Sequence, residues 1–134
     1  MTTHHTVLPF TVQFQSGKPV YEQVLYAVRK AVLRNQLSPG DPFPSVRALS
    51  LGLSINPSTA HKVVTALTAE GLLEVKPGVG TVVANGARPS AEDRAALLKT
   101  DLERLVVDAR RLGLTEEQVA AALHRHWKNL SHHE

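Results

Sequence analysis

The sequence predicts a mainly α chain with a small β-hairpin: three helices, the hairpin, then two more helices. Three observations predict it. Apolar residues recur at helical spacing over 20–36, 57–69 and 91–130. Two short runs rich in Val and Leu flank Lys76-Pro77-Gly78-Val79-Gly80, which is dense in turn formers. Proline, glycine and small polar residues fall at the ends of these segments rather than inside them. The 134 residues, 43% of them hydrophobic, leave room for one domain, or one small domain and an appendage.

Taken in order, Met1–Val7 reads as a frayed polar end. Phe10-Thr11-Val12-Gln13-Phe14 alternates apolar and polar and reads as a short strand or extended arm over 10–15, stopped by Ser16-Gly17. Pro19 suits a first helical turn, where its missing N–H is not needed. From Val20 to Gln36 two apolar rows run side by side, Val20-Val24-Ala27-Ala31 and Tyr21-Leu25-Val28-Val32. Arg29, Lys30 and Arg34 lie outside that stripe, on a solvated face. Ser38-Pro39-Gly40 is a turn that the helix cannot cross.

Pro44-Ser45 opens a second helix through Val46 and Leu49 towards Leu53. Asn56-Pro57 opens a third, with Asn as N-cap and Pro at the first helical position. Ala60, Val63, Val64 and Leu67 face inward, and Gly71 closes it. Leu72–Val75 and Thr81–Val83 form the hairpin strands.

Asn85 to Ser90 reads as a linker. Beyond it, Ala95, Leu98, Leu102, Leu105, Ala109 and Leu112 are spaced 3, 4, 3, 4, 3, a heptad seam that Leu97 and Val106 widen. Gly113 is a C-cap, and Thr115 with Gln118 has capping-box spacing. The last helix carries Val119, Ala122, Leu123, His126, Trp127 and Leu130 on one side. Two helices this size bury such faces poorly against each other alone. The expected organisation is a head over 1–86 and a two-helix dimerisation tail over 87–134.

Composition excludes several chemistries. Without cysteine there is no disulfide, thiolate-bound zinc, iron–sulfur cluster or thiol nucleophile. No apolar run reaches the ~18 residues of a membrane helix, and the N-terminus does not read as a secretory signal. A cytoplasmic protein with no membrane partner is expected. The seven histidines show no ligand spacing: His124 and His126 point to different helix faces, and His4, His5, His132 and His133 sit at the ends. No metal, cofactor or catalytic residue is expected, and Gly78-x-Gly80 is too short a pattern for a nucleotide site. The net charge of +3 lies wholly in residues 1–86, with seven basic and four acidic residues; 87–134 balances eight against eight. That places any anionic partner at the head.

Three helices followed by a hairpin make the winged helix-turn-helix plan, with Ser54-Ile55-Asn56 as the corner. Its third helix points its N-terminal end into a DNA major groove. Ser58, Thr59, His61 and Lys62 lie on those first turns, where hydroxyls at the positive end of the helix dipole suit phosphates. Lys76 would meet backbone phosphate from the wing.

The residues then become familiar. Pro19-Val20-Tyr21-Glu22-Gln23-Val24, Leu37-Ser38-Pro39-Gly40-Asp41-Pro42-Phe43-Pro44-Ser45-Val46-Arg47, Leu67-Thr68-Ala69-Glu70-Gly71-Leu72-Leu73 and Gly78-Val79-Gly80-Thr81-Val82-Val83 appear in order over 19–84. Together they resemble the GntR family of bacterial transcription regulators. The Asn56-Pro57-Ser58-Thr59 turn and short two-helix tail resemble its short-tailed YtrA-type subfamily. That resemblance implies paired winged heads on double-stranded DNA and a homodimer joined through the tails. It assigns Arg47 as a DNA contact of the second helix, Thr59 as a phosphate contact and Gly78 as the wing tip near the minor groove. Many relatives have arginine where this chain has Pro57 and His61, so the two-pronged guanine contact is missing at both positions.

The DNA-contact set expected here is therefore Arg47, Ser45, Asn56, Ser58, Thr59, His61, Lys62, Lys76 and Gly78. The dimerisation set is Leu98, Leu102, Leu105, Ala109, Leu112, Leu123 and Trp127. The favoured function is a repressor binding a palindromic operator. A DNA-binding module that regulates no gene, a winged helix that binds protein, and a switch responding to a small-molecule effector at the tail interface stay open.

Overall fold

The computed structural model describes residues 8–85 and 89–131. The N-terminal segment 1–7, the centre of the linker at 86–88, and residues 132–134 with His132 and His133 lie outside the described residues. Tertiary contacts divide the chain into two compact units, one on each side of that linker.

The first unit holds three helices and a hairpin. Helix α1 (Val20–Leu33) buries Val24, Leu25, Val28 and Ala31. It stops short of the predicted Gln36. Asn35 takes a left-handed conformation (φ 64°). Its N–H then donates to the Val32 carbonyl, and that of Gln36 to the Ala31 carbonyl. These two reversed bonds are a Schellman ending, in which asparagine replaces the usual glycine.

Helix α2 (Val46–Leu53) is capped by Ser45, whose side chain accepts from the Ala48 N–H at 3.1 Å. Helix α3 (Pro57–Ala69) is capped by Asn56 and ends at Gly71 (φ 84°), where the Leu72 N–H donates back to the Leu67 carbonyl. Ala60, Val63 and Leu67 of α3 join Leu37, Leu49 and Leu73 in the core with the buried side of α1.

Strands β1 (Leu73–Lys76) and β2 (Gly80–Val83) are antiparallel, pairing Leu73 with Val83 and Lys76 with Gly80. Residues 40–43 occupy the other edge of β2. The Gly40 N–H donates to the Val83 carbonyl, the Val83 N–H to that of Asp41, and the Phe43 N–H to that of Thr81, all within 2.9 Å. The arm at 10–15 forms no strand. Side chains hold it instead. Phe10 is buried and stacks on Phe43. The Gln23 amide accepts from the Gln15 N–H at 2.7 Å and donates to the carbonyls of Gln15 and Lys18.

In the second unit, helix α4 (Ala91–Ala96) starts at Ser90, whose side chain accepts from the Asp93 N–H. It runs into a wide π turn (Leu97–Asp101) and on into α5 (Leu102–Arg111). The sequence predicts an unbroken heptad helix here. The π turn takes up an extra residue and displaces Ala95 from the stripe begun by Leu102. Gly113 (φ 76°) closes α5, with its N–H on Arg110 and that of Leu114 on Ala109. Helix α6 (Glu116–Leu130) opens on the predicted capping box between Thr115 and Gln118.

Candidate nucleic-acid interface

The corner between α2 and α3 is locked by three local features. Ser54 is left-handed (φ 55°), which reverses the chain in one residue. The Ile55 N–H donates to the Ser50 carbonyl at 3.0 Å. The buried Ser50 hydroxyl donates to the Ile55 carbonyl at 2.7 Å, so the one buried polar side chain among the described residues closes the turn. An unsatisfied hydroxyl there would be costly; paired, it fixes the angle at which α3 leaves α2.

Helix α3 then presents a continuous exposed face. Pro57, Ser58, His61, Lys62 and Thr65 are exposed, whereas Ala60, Val63 and Leu67 are buried behind them. At 3.6 residues per turn, Pro57, His61 and Thr65 fall along one ridge and Lys62 lies at the opposite edge of the face. Thr65 belongs to this face although sequence reasoning passed over it; its signal was the i, i+4 step from His61. Thr59, by contrast, is half-buried at the edge.

The first turn is already engaged with itself. The Asn56 side-chain oxygen accepts from both the Ser58 N–H (2.8 Å) and the Ser58 hydroxyl (2.7 Å). Ser58 thus turns an acceptor outward, not the donor a phosphate requires. The hydroxyl and N–H of Thr59 lie outside this cap. Ser45 similarly lends its oxygen to the α2 cap. Asn56 and Ser45 therefore first position their helices.

Arg47 is exposed, one residue inside α2, and makes no ion pair among the described residues. Arg29 contrasts with it. Placed by the sequence on a solvated face, it forms a two-pronged ion pair with Glu70, its Nε donating at 3.0 Å and its terminal nitrogen to the second carboxylate oxygen. The hydrogen bond that Arg29 donates to Glu70, outweighing the opposing burial, raises the guanidinium pKa above its ordinary value. This pair joins α1 to the end of α3 and leaves Lys18, Lys30, Arg34, Arg47, Lys62 and Lys76 without an ion pair among the described residues of the first unit.

The wing tip is Pro77-Gly78-Val79, with the Val79 N–H donating to the Lys76 carbonyl. Gly78 has φ 78°, and a Cβ placed there would touch nothing. Lys76 and Gly78 are both exposed.

In the second unit, Leu98, Leu102, Leu105, Leu112, Leu123 and Trp127 are all open, with Leu98 at 69% and Trp127 at 74% exposure. Ala109, expected on the same seam, is buried in the single chain. Among the described residues no three His, Asp or Glu side chains converge as metal ligands, and no helix is long and apolar enough to cross a membrane.

Comparison with known proteins agrees with this geometry. Residues 20–83 match the model of the bacterial regulatory proteins of the gntR family. The chain is 32% identical over 106 residues to the HTH-type transcriptional repressor YtrA of Bacillus subtilis (strain 168), covering 78% of this chain and 82% of that one. A transcriptional antiterminator from Listeria monocytogenes EGD-e has a similar fold, with TM-score 0.78 at 24% identity over 90% of this chain and 91% of that one. The DNA-binding domain of AraR, solved in complex with operator ORX1, superposes with TM-score 0.50 at 28% identity, over 61% of this chain and all of that one.

Proposed function

The chain belongs to the gntR family of bacterial regulatory proteins, and on that premise we propose that it is a homodimeric repressor of a palindromic operator. As a family member it is a DNA-binding transcriptional regulator. The observation that carries the finer reading is the exposed ridge of α3, set at a locked corner, with the exposed Arg47 close by in the chain on α2. In this proposal α3 enters the major groove, Arg47, Thr59 and Lys62 contact the backbone, and Lys76 and Gly78 bring the wing to the adjacent minor groove. Phosphate neutralisation supplies most of the affinity, and groove contacts supply the choice of sequence.

The open leucines and Trp127 of the tail support the homodimer. An apolar surface of that extent on a small unit is the kind a second copy covers. Twofold symmetry then calls for half-sites about one helical turn, ~34 to 36 Å, or a multiple of it apart. The repressor role is supported by the likeness to YtrA, which is named as one.

Selection of bound duplexes from a random pool at physiological salt tests the proposal. A recovered inverted repeat with this spacing is expected. Recovery of unrelated sequences, all bound alike, would reject operator recognition in favour of non-specific binding.

A further inference from the structure

The α3 ridge has an unusual chemical makeup for a surface that reads bases. It contains no arginine, glutamine or free asparagine: the Asn56 oxygen is held by Ser58, and the exposed positions over 57–65 are Pro57, Ser58, His61, Lys62 and Thr65. The Pro57 ring has no polar atom to offer. Proline is well suited to the first helical turn, but its burial is not needed for that, and here it stands exposed. Two turns on, Thr65 offers a γ-methyl beside a hydroxyl that donates to no backbone carbonyl. Thr68 differs, because its hydroxyl is tied to the Val64 carbonyl at 2.7 Å.

An A·T base pair shows one methyl group in the major groove, on C5 of thymine, where a G·C pair shows none, and apolar side chains read it by contact. Pro57, His61 and Thr65 succeed one another at i, i+4 and i+8, a ridge of about 12 Å at 1.5 Å per residue. A ridge of that length passes more than one base pair. We propose that this chain reads its half-site in part through thymine methyl groups, using the Pro57 ring and the Thr65 γ-methyl on either side of His61. The inference rests on the proposed docking of α3 in the major groove. It deepens that reading by naming the chemical group recognised.

The test uses the intact protein and the selected operator, with each thymine replaced in turn by deoxyuridine. That change removes the methyl and leaves every hydrogen-bonding group in place. Binding is measured by fluorescence anisotropy at physiological salt. Each contacted methyl is expected to weaken binding about fourfold when removed, the scale of one buried methyl group. Thr65→Ser deletes the protein's methyl and keeps its hydroxyl. It should weaken binding to the thymine operator and abolish the deoxyuridine penalty at one position per half-site. Pro57→Ser, with circular dichroism to verify folding, should do the same at a different position. If the operator is bound tightly and no deoxyuridine substitution changes the affinity, methyl recognition is wrong while the regulator reading stands. If penalties occur but persist unchanged in both variants, the assignment to Pro57 and Thr65 is overturned. If no operator can be selected, both readings fall.

Discussion

Phe10 lies flat on Phe43, with ring centroids 5.9 Å apart and planes 9° from parallel. The contact ties the arm to the segment that leads directly into α2. Phe43 also donates its N–H to the Thr81 carbonyl of β2, so arm, wing and the approach to Arg47 meet at one residue.

Truncating the stack tests how far the arm is structural. Phe10→Ala removes a buried aromatic ring and is expected to destabilise the first unit by about 3 kcal/mol, at the low end for such a change because the arm can lift away. Chemical denaturation measures the loss. Limited proteolysis should then cut near residue 15 in the variant before the wild type. Equal stability would mean that the arm contributes nothing to the core.

The ion pair between Arg29 and Glu70 predicts a small effect. Both side chains are partly exposed, so Glu70→Gln should cost roughly 0.5 to 1 kcal/mol and less in high salt. The Arg29 pKa is raised in the folded chain. The stability linked to that rise is fully present below the unfolded pKa and is lost only as pH passes the folded value. That window lies far above neutral pH. Titration of Arg29 therefore gives no pH dependence near neutrality, and denaturation at pH 7 and pH 9 should show the same contribution from this guanidinium.

Arg47 has no intramolecular partner to lose among the described residues. Arg47→Ala should leave the melting temperature within about 1 °C, since exposed substitutions usually change stability by under about 0.5 kcal/mol. It should weaken operator binding about tenfold and, as a phosphate contact, lower the salt slope by about one. An unchanged salt-dependent isotherm would reject its role.

The tail is tested by Leu102→Asp with Leu105→Asp. Both residues are open in the single chain, so the charges can be solvated there and the tail helices should keep their circular dichroism. At a dimer contact the same charges would be buried without partners, at a cost of several kcal/mol. Monomers in analytical ultracentrifugation and much weaker operator binding are expected. Persistent dimers would place the interface elsewhere.

The helix starts and stops were legible because each is a short-range event. Ser45, Asn56, Ser90 and Thr115 accept N–H bonds from residues two or three positions on, and Gly71 and Gly113 take the positive φ their sequence context predicts. Asn35 was not legible because asparagine fills that role less often than glycine, and the stronger turn formers stand further on, at 38–40. Thr65 was missed because a lone threonine carries no motif. Only its place on an exposed ridge gives it meaning.

By itself, the sequence determined the order of elements, the wing, the corner at Ser54-Ile55-Asn56 and the family, since local hydrogen bonding and apolar periodicity encode these within a few residues. Tertiary structure decided which segment completes the β2 edge, that the arm docks through Phe10 rather than through a ladder, and that Arg29 is ion-paired while Arg47 has no ion pair among the described residues. It also decided that Ala109 is covered while the leucines around it stay open. These outcomes depend on which residues distant in the chain come within contact range. Periodicity specifies the face a side chain occupies, but competition among packed neighbours settles what that face meets.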